Sequence, residues 1–116
     1  MSKHDTVRFV VAASGAEVQN FGHSTPGEIM GVWVNHASGT GDITLAIVYE
    51  AQATTFYTEA TPVDGVFTPV TRMQTTAGAD ASGAGEWVRF YCPSGGHIRL
   101  TIAAAWTGSV SVAIRV

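Results

Sequence analysis

Residues 87–116 carry the clearest alternation of apolar and polar side chains in the chain. From His97 to Trp106, and again from Ser109 to Val116, apolar side chains occupy every second position. This period of two is typical of β-strands with one buried face. Thr107-Gly108 lies between the two segments, and glycine adopts the φ angles of tight turns without steric strain. The pattern predicts a long antiparallel hairpin that packs on a second sheet, because a lone hairpin is marginally stable in water.

A second antiparallel pair is predicted in the middle of the chain. Residues 28–36 are apolar on both faces, which is typical of a central strand. Residues 43–51 alternate, and residues 37–42 between the two segments have the glycine-rich composition of a hairpin loop. The positions of the second segment that are predicted to face the core are Ile43, Leu45, Ile47 and Tyr49.

Further short strands are separated by turn residues along the rest of the chain. They are predicted at residues 6–13, 55–58, 66–73 and 86–92. Residues 75–85 have no side chain to bury and predict an exposed loop, and residues 1–5 predict a flexible arm. Seven to eight strands without a helical period predict an all-β fold, with residues 1–116 as one domain. The expected architecture is an antiparallel two-sheet β-sandwich, either a jelly roll or immunoglobulin-like.

Composition limits the possible classes of function. Charged residues make up 13% of the 116 residues, about half the usual share, and the uncharged surface that results favours a protein held in an assembly. A net charge of −3 with six Lys and Arg residues predicts no nucleic-acid partner. The sequence contains neither a signal-peptide pattern nor an apolar run of the ~18 residues that a membrane span needs. We therefore expect synthesis in a cytoplasm and no membrane partner.

Residues that could carry catalysis or bind metal are dispersed. The single cysteine, Cys92, rules out an intramolecular disulfide and is expected to be a small buried hydrophobic residue rather than a nucleophile. The acidic residues fall mainly at predicted strand ends and loops, and the sequence contains no nucleophile elbow or phosphate-binding loop. The histidines are far apart in sequence, at His4, His23, His36 and His97. A metal site would require these histidines to converge in the fold, and their spacing does not predict this. From the single cysteine and the dispersed acidic residues and histidines together, we expect no enzyme activity, no metal and no cofactor.

Aromatic side chains are the remaining candidates for ligand binding. Trp87 and Tyr91 are four residues apart on one face of a predicted strand. Exposed rings in this arrangement form a flat platform on which a sugar ring can stack. Trp33 and Trp106 share their faces with core aliphatic residues and are predicted to be packed inside. The alternative for the whole aromatic set is a role in packing alone.

Four segments of the sequence together carry a resemblance to a known family. They are Ala37-Ser-Gly-Thr-Gly-Asp-Ile-Thr-Leu-Ala-Ile, Val66-Phe-Thr-Pro-Val-Thr, Trp87-Val-Arg-Phe-Tyr and Leu100-Thr-Ile-Ala-Ala-Ala-Trp-Thr-Gly-Ser-Val-Ser-Val. With these segments, residues 34–116 resemble small β-sandwich proteins of tailed bacteriophages that are encoded among virion structural genes. The sequence departs from the family pattern after Tyr49, where Glu50-Ala-Gln-Ala-Thr-Thr-Phe replaces the tight Asp-Gly turn and Trp often found there.

The resemblance implies a non-enzymatic component of a virion that is made in the host cytoplasm. A capsid decoration or cement protein that binds the major capsid protein or other virion proteins is the function we expect first, followed by a small tail or head-fibre module. A homo-oligomer is expected, and a trimer is one form that suits a capsid symmetry axis. Residues 1–5 and 75–85 are expected to contact neighbouring proteins. The alternative is a tail or fibre module for host adhesion that binds carbohydrate through Trp87 and Tyr91.

Overall fold

Every regular element in the computed structural model is a β-strand, and the residues that the structure describes are 4–21, 26–60, 64–72 and 87–115. The predicted loop at residues 75–85 and the first three residues of the predicted arm lie outside the described residues, whereas His4 already belongs to the first strand. The strands of the described residues are β1 (His4–Ala13), β2 (Glu17–Asn20), β3 (Gly27–Gly39), β4 (Ile43–Tyr49), β5 (Gln52–Glu59), β6 (Gly65–Phe67), β7 (Val70–Arg72), β8 (Trp87–Arg89), β9 (Tyr91–Cys92), β10 (His97–Ile102) and β11 (Trp106–Arg115).

Two antiparallel sheets pack face to face. The five-stranded sheet has the order β1-β11-β3-β6, with β9 also paired to β3, and the four-stranded sheet has the order β2-β10-β4-β5. The pairs are nested along the chain, because β1 pairs with β11, β2 with β10, β3 with β9, and β4 with β5. Nested pairing of strands that alternate between two sheets is the topology of a jelly roll. The predicted all-β sandwich is confirmed, and of the two predicted topologies the strand order matches the jelly roll.

The two long hairpins predicted from the sequence do not form. Strand β10 lies in the four-stranded sheet and β11 in the five-stranded sheet, so the chain crosses between the sheets at residues 103–105. Strand β3 likewise lies in the five-stranded sheet and β4 in the four-stranded sheet, so the chain also crosses between the sheets at residues 40–42. Gly108 lies inside β11, opposite His36, and not at a turn. The predictions were wrong because alternation shows which side chains face a core but not which strand lies alongside.

The two crossings between the sheets pack against each other. The backbone N–H of Gly41 donates to the carbonyl oxygen of Ala105 at 3.3 Å, and the N–H of Ala103 donates to that of Asp42 at 3.0 Å. Gly39 has a φ of +98°, and a Cβ at this position would clash with the Ala105 carbonyl oxygen. Glycine is therefore needed at Gly39 both for its backbone conformation and for this close approach.

Aliphatic side chains from both sheets form the core. Trp106 is 1% exposed, and its ring lies tilted against that of His36 with the centroids 5.7 Å apart. Cys92 is fully buried, and burial raises the pKa of its thiol. The predicted burial of these two side chains, Trp106 and Cys92, is confirmed. The other large, fully buried side chains include Ile29, Ile43, Leu45, Ile98, Leu100, Ile102 and Ile114.

Two aromatic side chains that were predicted inside the core lie on the surface. Trp33 is 55% exposed and Tyr49 is 40% exposed. In β3, Met30 has no residue opposite it in β11, because the register shifts at this position. A bulge with one extra residue reverses the faces to which the following side chains point. Trp33 therefore points away from the core, and Tyr49 lies at the surface where β4 ends.

Two predicted strands are broken into shorter ones. The segment 66–73 is interrupted at residues 68–69, and the segment 86–92 is interrupted at Phe90. As a result β8 pairs with β7 in a separate two-stranded sheet, while β9 pairs with β3. Proline lacks the N–H that a sheet ladder needs, which accounts for the first interruption at Pro69. These two breaks, together with the short strand β2, raise the number of strands above the seven to eight predicted, to eleven among the described residues.

Tyr57 is expected to make stability depend on pH under alkaline conditions. The pKa of Tyr57 is raised from 10.0 to about 12. Burial is the largest cause, followed by the negative charge of Glu59 and the hydrogen bond that Glu59 accepts from the Tyr57 hydroxyl. Unfolded tyrosine releases its proton near pH 10, so the unfolded state binds fewer protons than the folded state between about pH 10 and 12. The contribution of Tyr57 to the free energy of unfolding is therefore complete below pH 10 and is lost as the pH rises through 12. We expect the urea midpoint to fall more steeply across this window in the wild type than in Tyr57→Phe.

The Tyr57→Phe variant is a suitable control because it retains the ring. The Tyr57 ring lies against Phe67 with the centroids 5.3 Å apart, and phenylalanine can make the same contact. Cys92 also titrates in the alkaline range, but it is present in both proteins, so the comparison cancels its effect. Identical slopes in the two proteins would contradict the assignment of this pH dependence to Tyr57.

Candidate functional site

Potential metal ligands do not converge in the described part of the chain. No group of three or more His, Cys, Asp and Glu side chains is close enough there to hold a metal ion. His36 Nε2 lies 2.7 Å from a backbone carbonyl oxygen, and His97 Nε2 lies 3.3 Å from Asn20 Oδ1. The rings of His36 and His97 therefore each contact a neighbouring polar group of the fold. The side chains of the other two histidines lie outside the described residues.

The outward side of the five-stranded sheet forms the first candidate surface, which we call the Trp33 face. One row of residues crosses four strands, and a second row lies beside it. Trp33 is 55% exposed, Val66 opposite it is 56% exposed, and Val10 is 66% exposed. Trp33 and Val66 are direct neighbours, whereas Val10 lies in β1, two strands away from Trp33. Exposed apolar side chains that lie together, as Trp33 and Val66 do, mark sites of interaction. The residues of the Trp33 face are Arg8, Val10, Trp33, Asn35, Val66, Ser109 and Ser111.

Small residues around Trp33 make this face flat and leave the indole accessible. A Cβ at Gly31 would lie 3.9 Å from Trp33 Cζ3, which shows that the ring lies against this glycine. Ser111 lies opposite Trp33 in the neighbouring strand and is too short to cover it. On the other side, the Asp64 carboxylate accepts a hydrogen bond from the His36 N–H at 2.6 Å and fastens β6 to β3. Trp33 thus lies where β3 is paired on both sides, with β11 and with β6.

The second candidate is a cleft at the edge of the sandwich, which we call the Tyr49–Tyr91 cleft. It has a volume of about 190 Å³. Tyr49 is 40% exposed and Tyr91 is 64% exposed, whereas Ile47 is only 5% exposed and lies at its base. The described residues that line the cleft include no charged side chain. They are Ile47, Tyr49, Gln52, Thr54, Phe90, Tyr91 and Pro93.

A strained turn positions two residues of the cleft. Tyr49 and Gln52 are opposite each other at the end of the β4–β5 hairpin, and the turn between them consists of Glu50 and Ala51. Their φ angles are +50° and +63°. Positive φ at both central positions defines a turn in which Asn-Gly or Asp-Gly is usual, and residues with a Cβ are destabilised there by roughly 1–2 kcal/mol each. The unusual sequence after Tyr49 therefore keeps a tight turn but with strained residues.

The two residues of the predicted sugar platform line different cavities. Trp87, which is 54% exposed, lies in β8 and lines a cavity of about 420 Å³, beside an ion pair between Arg89 Nη1 and Glu28 Oε1 at 3.3 Å. Tyr91 lies in β9 and lines the Tyr49–Tyr91 cleft. The interruption at Phe90 separates the two strands, so Tyr91 has Tyr49, and not Trp87, as its aromatic partner in a cleft.

Among the described residues, no helix has the length and apolar character that crossing a membrane requires. The Trp33 face and the Tyr49–Tyr91 cleft are the two candidate surfaces, and each combines exposed aromatic with apolar side chains. Comparison of the chain with known proteins gives no match to a protein-family model, to a curated protein or to a solved structure.

Proposed function

We propose that the protein is a non-enzymatic structural component of a virion, most directly a capsid decoration protein that binds the major capsid protein lattice as a homo-oligomer. The Trp33 face is the observation that carries this proposal. Its exposed Trp33 and Val66 lie opposite each other on adjacent strands of a sheet. The choice of a virion as the assembly rests on the resemblance of residues 34–116 to phage β-sandwich proteins.

The Trp33 face has the properties of a protein contact surface. Tryptophan is enriched among the residues that dominate binding energy at interfaces, whereas charged residues are depleted from interface centres. Arg8 is the single charged residue of the face, and it lies in β1, two strands away from Trp33. A tryptophan side chain has only two χ angles and therefore loses little conformational entropy on binding. These properties favour Trp33 as the centre of the contact.

Substitution of Trp33 by alanine is expected to weaken binding to capsid shells. Truncation of a tryptophan at the centre of an interface removes about 2 kcal/mol or more, which corresponds to roughly a 30-fold loss of affinity. The measurement is co-sedimentation with empty shells assembled from the major capsid protein of the same genome, together with light scattering of the purified protein. The wild type is expected to form a closed oligomer and to pellet with the shells in a fixed ratio.

Trp87→Ala provides a matched control for this experiment. Trp87 is 54% exposed, nearly the same as Trp33, but it lies in β8, outside the five-stranded sheet. This variant is expected to pellet like the wild type. A wild-type protein that stays in the supernatant would overturn the decoration function. Equal pelleting of Trp33→Ala and the wild type would show instead that the contact lies outside the Trp33 face.

A further inference from the structure

We infer that the Tyr49–Tyr91 cleft binds one unit of a neutral saccharide, stacked on a tyrosine ring and hydrogen-bonded to Gln52 and Thr54. This binding function is independent of the proposed assembly function, because Tyr91 is not part of the Trp33 face and pairs with Glu28, five positions along β3 from Trp33. It also differs from the predicted platform of Trp87 and Tyr91, since Trp87 lines the other cavity.

The cleft combines accessible aromatic rings with an apolar base. Tyr49 comes from the four-stranded sheet and Tyr91 from the five-stranded sheet, so the cleft lies where the two sheets meet at an edge. Phe90 is partly buried against the core and, with Ile47, closes the cleft from below. Exposed tyrosine rings offer a flat apolar face, and the C–H face of a sugar ring stacks on such a surface.

Polar groups for sugar hydroxyls lie on the adjacent strand. Gln52 and Thr54 are two residues apart in β5, so both side chains point to the same side of the strand, toward the cleft. The amide carries donors and an acceptor, and the hydroxyl acts as either, which matches sugar hydroxyl groups that both donate and accept. Among the described residues neither side chain has a hydrogen-bond partner, so both are available to a ligand.

Charge and size restrict the class of ligand. The described lining residues carry no charge, so nothing in them would compensate a phosphate, carboxylate or ammonium group. The volume of about 190 Å³ is smaller than the pockets of about 300–1,000 Å³ that enclose drug-sized ligands. It suits a single ring, such as the end of a glycan. A proline-rich peptide needs a longer groove, because it extends by about 3.1 Å per residue.

The strained β4–β5 turn supports a binding role for the cleft. Glu50 and Ala51 keep left-handed backbone conformations that a glycine or asparagine would adopt with less strain. Strain of this kind is found at ligand sites, where it fixes the geometry of the neighbouring side chains. Here the turn fixes Tyr49 and Gln52, which lie on either side of it and both line the cleft.

An array of neutral oligosaccharides that end in a hexose or an N-acetylhexosamine provides the test. We expect the wild type to bind a subset of these glycans, and Tyr91→Ala and Gln52→Ala each to lower the affinity at least about tenfold. The bound glycan should shift the side-chain amide signals of Gln52 in a ¹H–¹⁵N spectrum. Trp87→Ala is the control and should bind like the wild type, because Trp87 lines the other cavity.

Three results would overturn the inference. They are the absence of binding to every neutral glycan, loss of binding in Trp87→Ala with retention in Tyr91→Ala, and binding of a proline-rich peptide alone. Tyr91→Ala should still pellet with capsid shells, so failure of the saccharide site is distinguishable from failure of the decoration function. Tyr91 is 64% exposed, and an unchanged melting temperature of its alanine variant would show that the fold is retained.

Discussion

Substitution of Trp106 by alanine is expected to lower the free energy of unfolding by about 3–5 kcal/mol. Trp106 is the largest of the fully buried side chains, with 1% of its surface exposed. It begins β11, directly after the crossing between the sheets, and its ring contacts His36 of β3. Removal of the Trp106 ring leaves a cavity between the two sheets, and the paired strands on each side prevent the cavity from closing. Urea unfolding followed by circular dichroism measures the loss.

The Trp106→Phe variant separates the packing of the ring from its polar atom. Trp106 Nε1 is buried without a hydrogen-bond partner among the described residues. A buried, unpaired donor is destabilising by about 1–3 kcal/mol, and phenylalanine removes this donor while it keeps an aromatic ring. We expect Trp106→Phe to lose less than half as much stability as Trp106→Ala. Equal losses in the two variants would contradict the assignment of the stability to ring packing.

The buried faces of the strands could be predicted from the sequence, but the partners of the strands could not. In β10 and β11 the alternation correctly identified a buried series, which includes Leu100 and Val112 with no exposed surface. The same alternation results whether a strand pairs with its sequence neighbour in a hairpin or lies in the other sheet, because its apolar side faces the core in both cases. The choice depends on how residues 103–105 and 40–42 pack together, and these two segments are far apart in sequence.

The candidate surfaces depend on features that have no local signal. Trp33 faces outward because of the bulge at Met30, which forms only when β3 pairs with β11. The exposure of Tyr91 fits its place in the predicted platform, but its cleft partner Tyr49 comes from the other sheet. Periodicity describes a single strand, whereas bulges and contacts between sheets arise from pairs of strands. The exposure of Tyr91 could therefore be predicted from the sequence, but the cleft that it forms with Tyr49 could not.

Substitution of Gly39 by alanine is expected to destabilise the protein by about 2–5 kcal/mol, because two unfavourable effects combine. A left-handed backbone with a Cβ contributes roughly 1–2 kcal/mol, and steric overlap in a packed region contributes about 1–3 kcal/mol. Gly39 has a φ of +98°, and its added Cβ would overlap the backbone carbonyl of Ala105, which cannot rotate away as a side chain does. The measurement is the urea midpoint and the melting temperature.

Gly15→Ala is the matched control for Gly39→Ala. Both glycines lie where a strand of the five-stranded sheet ends and the chain passes to the four-stranded sheet, but a Cβ at Gly15 would have no atom within 4 Å. We expect Gly15→Ala to change stability by no more than about 0.5 kcal/mol. Gly15 has neither the positive φ nor the close approach of Gly39, so the difference between the two variants measures the backbone strain and the overlap with Ala105 together. Equal stabilities of the two variants would contradict both effects and would show that the crossing at residues 103–105 can move away from Gly39.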